Sequence, residues 1–232
     1  MATIGFLHTA EVHVATFDHL VHSHLPGVGT VHAVEDGLLV RARADGPDSV
    51  ATEVLRHVHA LHGAGADIIC CTCSTIGGVA ERVAGHLTVL RVGTVFRVGT
   101  VFRVDRPMAR CAVRSGPRIL VLAALESTLE PTRALIEEEA ATRGTMVRIG
   151  MVTVPDAWRH FERGDLAAYT EAVAATARAR RDEADAVVLA QASMAGSESL
   201  LADLGIPVLS SPRLAIAHAA DLLGEDVLGE SD

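Results

Sequence analysis

The chain contains no lysine, and all 20 of its basic residues are arginine. That excludes a Schiff-base lysine for pyridoxal phosphate and the lysine of a phosphate-binding P-loop. Long apolar runs are missing too: no stretch of 18 or more apolar residues occurs, and the opening "MATIGFLHTAEVH" has neither the basic segment nor the long apolar core of a secretory signal. The cytoplasm is the expected location, and no membrane partner is expected. Basic runs are also scarce. The longest is "RARR" at 178–181, and the formal net charge is -9. Neutralising phosphates needs clustered cations, so nucleic acid is not the expected partner and a small molecule is. Nor is there a spaced cysteine framework: Cys70, Cys71 and Cys73 crowd together and Cys111 stands apart. This does not resemble a secreted disulfide scaffold, so the thiols are expected to be reduced.

What is present is a chain of 232 residues with 49% hydrophobic content, long enough for one large domain or two smaller ones. Short β-rich runs ("TIGFLH", "VGTVHAVE", "DIICCT", "LTVLRV", "RILVLAA", "MVRIGMVTV", "DAVVLAQ", "IPVLSS") alternate with segments of helical spacing at 48–63, 129–143 and 165–183. Strands alternating with helices of this length predict βαβ units and a parallel sheet, hence an α/β fold. An internal repeat goes further. "ADIICCTCSTIGG" from Ala66 aligns with "ADAVVLAQASMAG" from Ala184 at a constant offset of 118, placing Ser74 on Ala192, Thr75 on Ser193 and Cys73 on Gln191. "GTVHAV" from Gly29 also matches "GTMVRI" from Gly144, and "TVLRV" matches "IPVLSS" in its position after a helix. The shared order predicts two similar lobes, with a boundary in the Pro/Gly-bearing stretch near 105–117. The division expected is 1–108 with 210–232 packing back on it, and 109–209. A perfect tandem, "VGTVFR" at 92–97 and 98–103, reads as a local duplication that lengthens a strand or bulges a loop.

The cysteines admit several chemistries. Cys70 and Cys73 form a C-x-x-C, yet a structural zinc site needs four ligands, and no second pair exists. Strand alternation buries one of Cys70 and Cys71, which argues against a redox pair and for core packing. Cys73 sits where a strand ends and a Ser/Thr/Gly-rich loop begins, the place where open α/β sheets bind ligands. A helix expected to start near 76–79 would add N–H groups and a positive dipole end that favour a thiolate or a bound carboxylate. The histidines of "HLVHSH" (His19, His22) and "HVHALH" (His59, His62) lack a carboxylate or cysteine at ligand spacing and read as exposed helix faces, so no metal is expected. Glu35 and Asp36 follow the second strand and read as a solvated turn, with a place at the border of the site as the alternative.

"CST" at 73–75 after a β-strand, the duplicated α/β organisation, "DRPM" at 105–108 and "ALESTLEPT" at 124–132 resemble the aspartate/glutamate/hydantoin racemase superfamily, which also contains arylmalonate decarboxylases and maleate isomerases. The resemblance implies two pseudo-symmetric lobes, an active site in the cleft between them, no cofactor and a homodimer. It also implies two catalytic cysteines, one at the equivalent strand end of each lobe. Cys73 matches the first. The second falls on Gln191, which cannot exchange a proton at neutral pH. His8 and Thr9 match the polar position after the first strand, where a Cys–His pair would help form the thiolate; the alternative for His8 is a surface or merely hydrogen-bonded histidine. Ser74, Thr75, Ser127, Thr128, Ala192 and Ser193 fall at strand ends that would contact a small carboxylate substrate. Ser127 and Thr128 also read as caps for the helix that follows. The function implied is a cofactor-independent racemase or isomerase acting through one thiol on a small amino acid, hydantoin or related carboxylate. The alternatives are a decarboxylase of a malonate-type substrate and a non-catalytic carboxylate-binding protein.

Overall fold

The structure, a computed structural model, describes residues 1–89 and 100–229. The chain forms two compact units, Met1–Val104 together with the segment from Arg213, and Asp105–Pro212.

The first unit carries β1 (Thr3–His8), α1 (Val12–His24), β2 (Gly29–Val34), α2 (Asp36–Asp45), α3 (Ala51–Gly63), β3 (Ile68–Cys71), α4 (Ser74–Val89) and β4 (Val101–Arg103). Its sheet has the order β2-β1-β3-β4, and all three pairings are parallel. Side chains of successive strand residues point to opposite faces, so this sheet builds two cores. Leu7, Ile69 and Cys71 pack with α2, α3 and α4 on one face. Ile4, Phe6, Ile68, Cys70 and Phe102 pack with Phe17 and Val21 of α1 on the other. Ala215, Ile216, Ala219 and Leu223 of α9 (Ser211–Gly229) complete that second core.

The second unit repeats the plan with α5 (Arg106–Ser115), β5 (Arg118–Ala123), α6 (Leu129–Arg143), β6 (Arg148–Thr153), α7 (Ala157–Glu162), α8 (Leu166–Ala179), β7 (Ala186–Leu189) and β8 (Val208–Ser210). Its order is β6-β5-β7-β8, again all parallel. The two sheets are therefore the same motif used twice, and the Ala-Asp repeat has a structural meaning. Asp67 accepts the Thr3 backbone N–H at 2.8 Å, and Asp185 accepts that of Arg118 at 2.9 Å. Each carboxylate secures the first N–H of its unit's central strand. Gly116, at φ 153°, lies so near Asp185 that a Cβ there would meet the aspartate Cβ at 2.5 Å, which explains the glycine. Asp67→Ala is expected to destabilise the first unit by about 1 kcal/mol, with Asp67→Asn, which keeps an acceptor, losing less; urea unfolding followed by amide exchange in β1 checks this.

Several local expectations change. "LTVLRV" is not the fourth strand: α4 runs through Val89, and the edge strand is Val101–Arg103, from the second copy of the tandem. The first copy lies outside the described residues. The stretch expected to hold the boundary is for the most part the helix α5, with Pro107 in its first turn, where a missing N–H costs nothing. The compact units divide at 104/105, ahead of that helix. "GTMVRI" does not align with "GTVHAV": Gly144 is the left-handed cap of α6 at φ 67°, and Arg148 pairs with Arg118 as Gly29 pairs with Thr3. Glu35 caps α2 by accepting the Gly37 N–H, and Asp36 opens that helix. Among the described residues no helix is long and apolar enough to cross a membrane.

Candidate functional site

In sheets ordered 2-1-3-4 the chain leaves the two central strands in opposite directions, opening a crevice at their carboxyl ends. In the first unit those ends are His8, the last residue of β1, with Thr9 after it, and Thr72 and Cys73 after β3.

Cys73 is partly buried and packs against the core under α3 and α4. Its carbonyl accepts the N–H of Gly77 at 2.9 Å and of Ile76 at 3.3 Å, so Cys73 is itself the residue from which α4 springs. The helix thus begins at Ser74, earlier than the spacing suggested. Ser74 and Thr75, both partly buried, form its first turn beside the thiol. Gly77 allows Arg103, at the end of β4, to lie against this turn. A Cβ on Gly77 would meet the arginine Cβ at 2.7 Å, and the guanidinium donates to the Ser74 carbonyl at 3.2 Å. Cys70 and Cys71 are both buried, one in each core. Among the described residues no group of three His, Cys, Asp or Glu is disposed to hold a metal ion.

His8 is fully buried, and its ring nitrogens bond to Thr72 Oγ1 at 2.8 Å and His32 Nδ1 at 2.9 Å. The hydrogen bonds of this ring therefore do not go to Cys73. His32 Nε2 continues to Asp18 Oδ1 at 2.9 Å, which also accepts the Thr30 hydroxyl at 2.6 Å. Burial, reinforced by His32 and His13, lowers the His8 pKa to about 3. Burial likewise lowers that of His13, whose ring centroid lies 6.3 Å from that of His8. Asp18 is held below the usual carboxylate range, chiefly by the Thr30 hydroxyl and then by His32. Sequence reasoning missed His13, Asp18 and His32. The available signal was the strand period: Thr30 and His32 alternate with Val31 and Ala33, which pack in the other core.

In the second unit the central strand ends are Ala124 and Leu125 after β5, and Gln191 after β7. Gln191 Oε1 accepts the backbone N–H of Ala124 at 2.6 Å and of Leu125 at 3.0 Å. A backbone N–H can only donate, so this fixes the amide orientation: the oxygen is committed and Nε2 is a donor. Gln191 is the chain's single glutamine, and there is no asparagine. Where α4 follows Cys73, only a short 3-10 turn, Ala192–Ser197, follows Gln191. Ala192 is partly buried there. The Ser193 hydroxyl bonds Tyr169 at 2.8 Å, and burial raises the Tyr169 pKa to about 12, so the phenol keeps its proton and orients the serine. Ser127 is exposed and Thr128 buried. Thr128 is the cap residue of α6, yet its side chain makes no capping bond, because the turn Glu126–Thr128 already leads into the helix with helical backbone angles.

No family model and no curated protein matches the chain. Solved structures do. An aspartate racemase from Picrophilus torridus superposes with a TM-score of 0.68 at 17% identity, covering 97% of this chain and 94% of that one. A glutamate racemase isoform from Bacillus anthracis gives 0.69 at 17% identity over 97% and 82%. A mutant of arylmalonate decarboxylase in a sulfate-associated form gives 0.64 at 17% identity over 96% and 93%. Two four-stranded parallel sheets with repeated strand order, matched over nearly the whole chain, give this protein the α/β fold of the aspartate and glutamate racemases and of arylmalonate decarboxylase.

Proposed function

We propose that this chain is a cofactor-independent enzyme that exchanges a proton at the carbon next to the carboxyl or carbonyl of a small carboxylate, with Cys73 as its single acid/base. The observation that carries this reading is the inequality of two equivalent positions. One strand end bears a thiol at the start of a long helix. The other bears a carboxamide whose oxygen is tied to two backbone N–H groups. A thiolate can take a proton from the carbon, leaving an enolate, and return one to the same face. Ser74 and Thr75, with the N–H groups of the first turn of α4, suit a carboxylate.

The same inequality favours a second reading, a decarboxylase. Loss of carbon dioxide from a malonate-type substrate leaves the same enolate, and one thiol suffices to protonate one face.

The test is exchange in deuterated water with a panel of amino acids, hydantoins and malonates. A substrate should gain deuterium with one handedness, or a malonate should yield one enantiomer of its product. Rapid racemisation by the unmodified protein would refute the one-thiol mechanism. No turnover across the panel would leave a carboxylate-binding protein.

A further inference from the structure

The buried groups of the first unit form an unbroken hydrogen-bonded chain: Leu7 carbonyl, Thr72 hydroxyl, His8, His32 and Asp18, with bonds of 3.1, 2.8, 2.9 and 2.9 Å. Both ends are acceptors, since a carbonyl and a carboxylate can only accept. Four bonds need four protons. Thr72, neutral His8 and neutral His32 carry one each, so a fully bonded chain holds one proton more than its neutral groups supply. Asp18 resists taking it, because Thr30 and His32 both favour its ionised form. His8 resists as well, being fully buried. His32, in contact with the carboxylate, is where it belongs.

We propose that His32 and Asp18 form a positioning ion pair that sets the tautomer of His8 and, through Thr72, ties down the strand end that carries Cys73. With His32 doubly protonated, its Nδ1–H donates to His8 Nε2, His8 Nδ1–H donates to Thr72, and the Thr72 hydroxyl donates to Leu7. Thr72 then clamps β3 to β1 twice, since its backbone N–H also donates to the Leu7 carbonyl at 3.0 Å. When His32 loses the extra proton, every donor downstream reverses. His8 becomes the Nε2–H tautomer, the Thr72 hydroxyl turns to His8 Nδ1, and its bond to Leu7 is lost. The titratable groups that interact with this pair are His8 on β1 and, on α1, Asp18 and His13 beside His8. The Phe6 ring, stacked on His32 at 5.2 Å, contributes no charge. The device is thus a pH-dependent latch one residue before the thiol. Its consequence for catalysis rests on the function proposed above; the latch itself does not.

Imidazole 15N NMR of the full chain between pH 5 and 9 tests it without any substrate. His8 should show a protonated Nδ1 and a bare Nε2 while His32 is doubly protonated, and should change to the Nε2–H form as His32 loses its proton. Asp18→Asn, which removes the balancing charge, should show the Nε2–H form of His8 at a pH where the parent shows Nδ1–H. Cys73 in Asp18→Asn should react with iodoacetamide at least about threefold faster at that pH, because the strand end loses one tie and opens more readily. A single His8 tautomer across the range while His32 titrates would overturn the proposal. So would an unchanged Cys73 reactivity in a variant whose His8 tautomer has switched. Should Asp18→Asn fail to fold, the parent decides alone: a His8 tautomer change coinciding with the His32 titration supports the latch, and its absence overturns it. Loss of the proposed enzymatic function would show as no turnover in either protein and would leave these spectra untouched.

Discussion

Cys73→Ala is expected to lower deuterium exchange into a true substrate by about a thousandfold or more, within the range that a positioned general acid/base contributes. The loss should fall on kcat, since the binding groups proposed around it remain. The reciprocal variant is more informative. Gln191→Cys, which places a thiol at the equivalent end of β7, tests the resemblance to two-thiol racemases: that resemblance predicts racemisation in place of one-face exchange. The substitution should also cost stability, because the backbone N–H groups of Ala124 and Leu125 both lose the acceptor they share. A buried donor left without a partner costs about 1–3 kcal/mol. Chiral chromatography of the deuterated product, beside urea unfolding of each variant, separates the two effects. Full exchange by Cys73→Ala would show that the thiol is not the acid/base.

Acidification is expected to destabilise the first unit selectively. His8 has a pKa near 3 in the folded protein, against 6.5 for an ordinary histidine. Between those values the unfolded chain binds a proton that the folded one refuses. The stability that His8 contributes is therefore fully present above about pH 6.5 and is lost as pH falls toward 3. The His8 contribution alone is at most about 5 kcal/mol, taking 1.36 kcal/mol per unit. His13, also shifted downward by burial, acts in the same direction. His160 is the one histidine of Asp105–Pro212, and it is not buried, so the second unit lacks this liability. Amide exchange at pH 7, 5.5 and 4.5 should show β1 and β2 losing protection before β5 and β6. His8→Leu, which removes the buried base at the cost of its two bonds, should flatten that pH dependence. Equal acid sensitivity of both units would contradict the assignment.

How much of this could be read in advance depended on the range of the interactions involved. The 118-residue offset was legible because Asp67 and Asp185 do the same work in the same motif, each holding the first N–H of a central strand. The helix 129–143 was legible in full, since its spacing and the Gly144 cap are local signals. The edge strand β4 was not, because two identical copies of "VGTVFR" offer the same local pattern and only pairing with β3 selects the second. The boundary was placed in the stretch near 105–117 for its two prolines and glycine, and the helix there went unread, although a proline in the first turn and a glycine just past the end are what a short helix carries.

The candidate site divides in the same way. By itself the sequence determined the α/β class, the duplication, the placing of Cys73 and Gln191 at equivalent strand ends, and the absence of lysine chemistry. These rest on side-chain periodicity, repeat spacing and composition, which need no knowledge of distant neighbours. Only the tertiary structure decided what the side chains at those ends do. His8 meets Thr72 across 64 residues and His32 across 24, and Gln191 reaches Ala124 across 67. Such partners are brought together by strand register in a parallel sheet, where each neighbour is separated by a whole crossover. No local pattern encodes whether a polar residue at a strand end turns toward a substrate or toward its neighbouring strand.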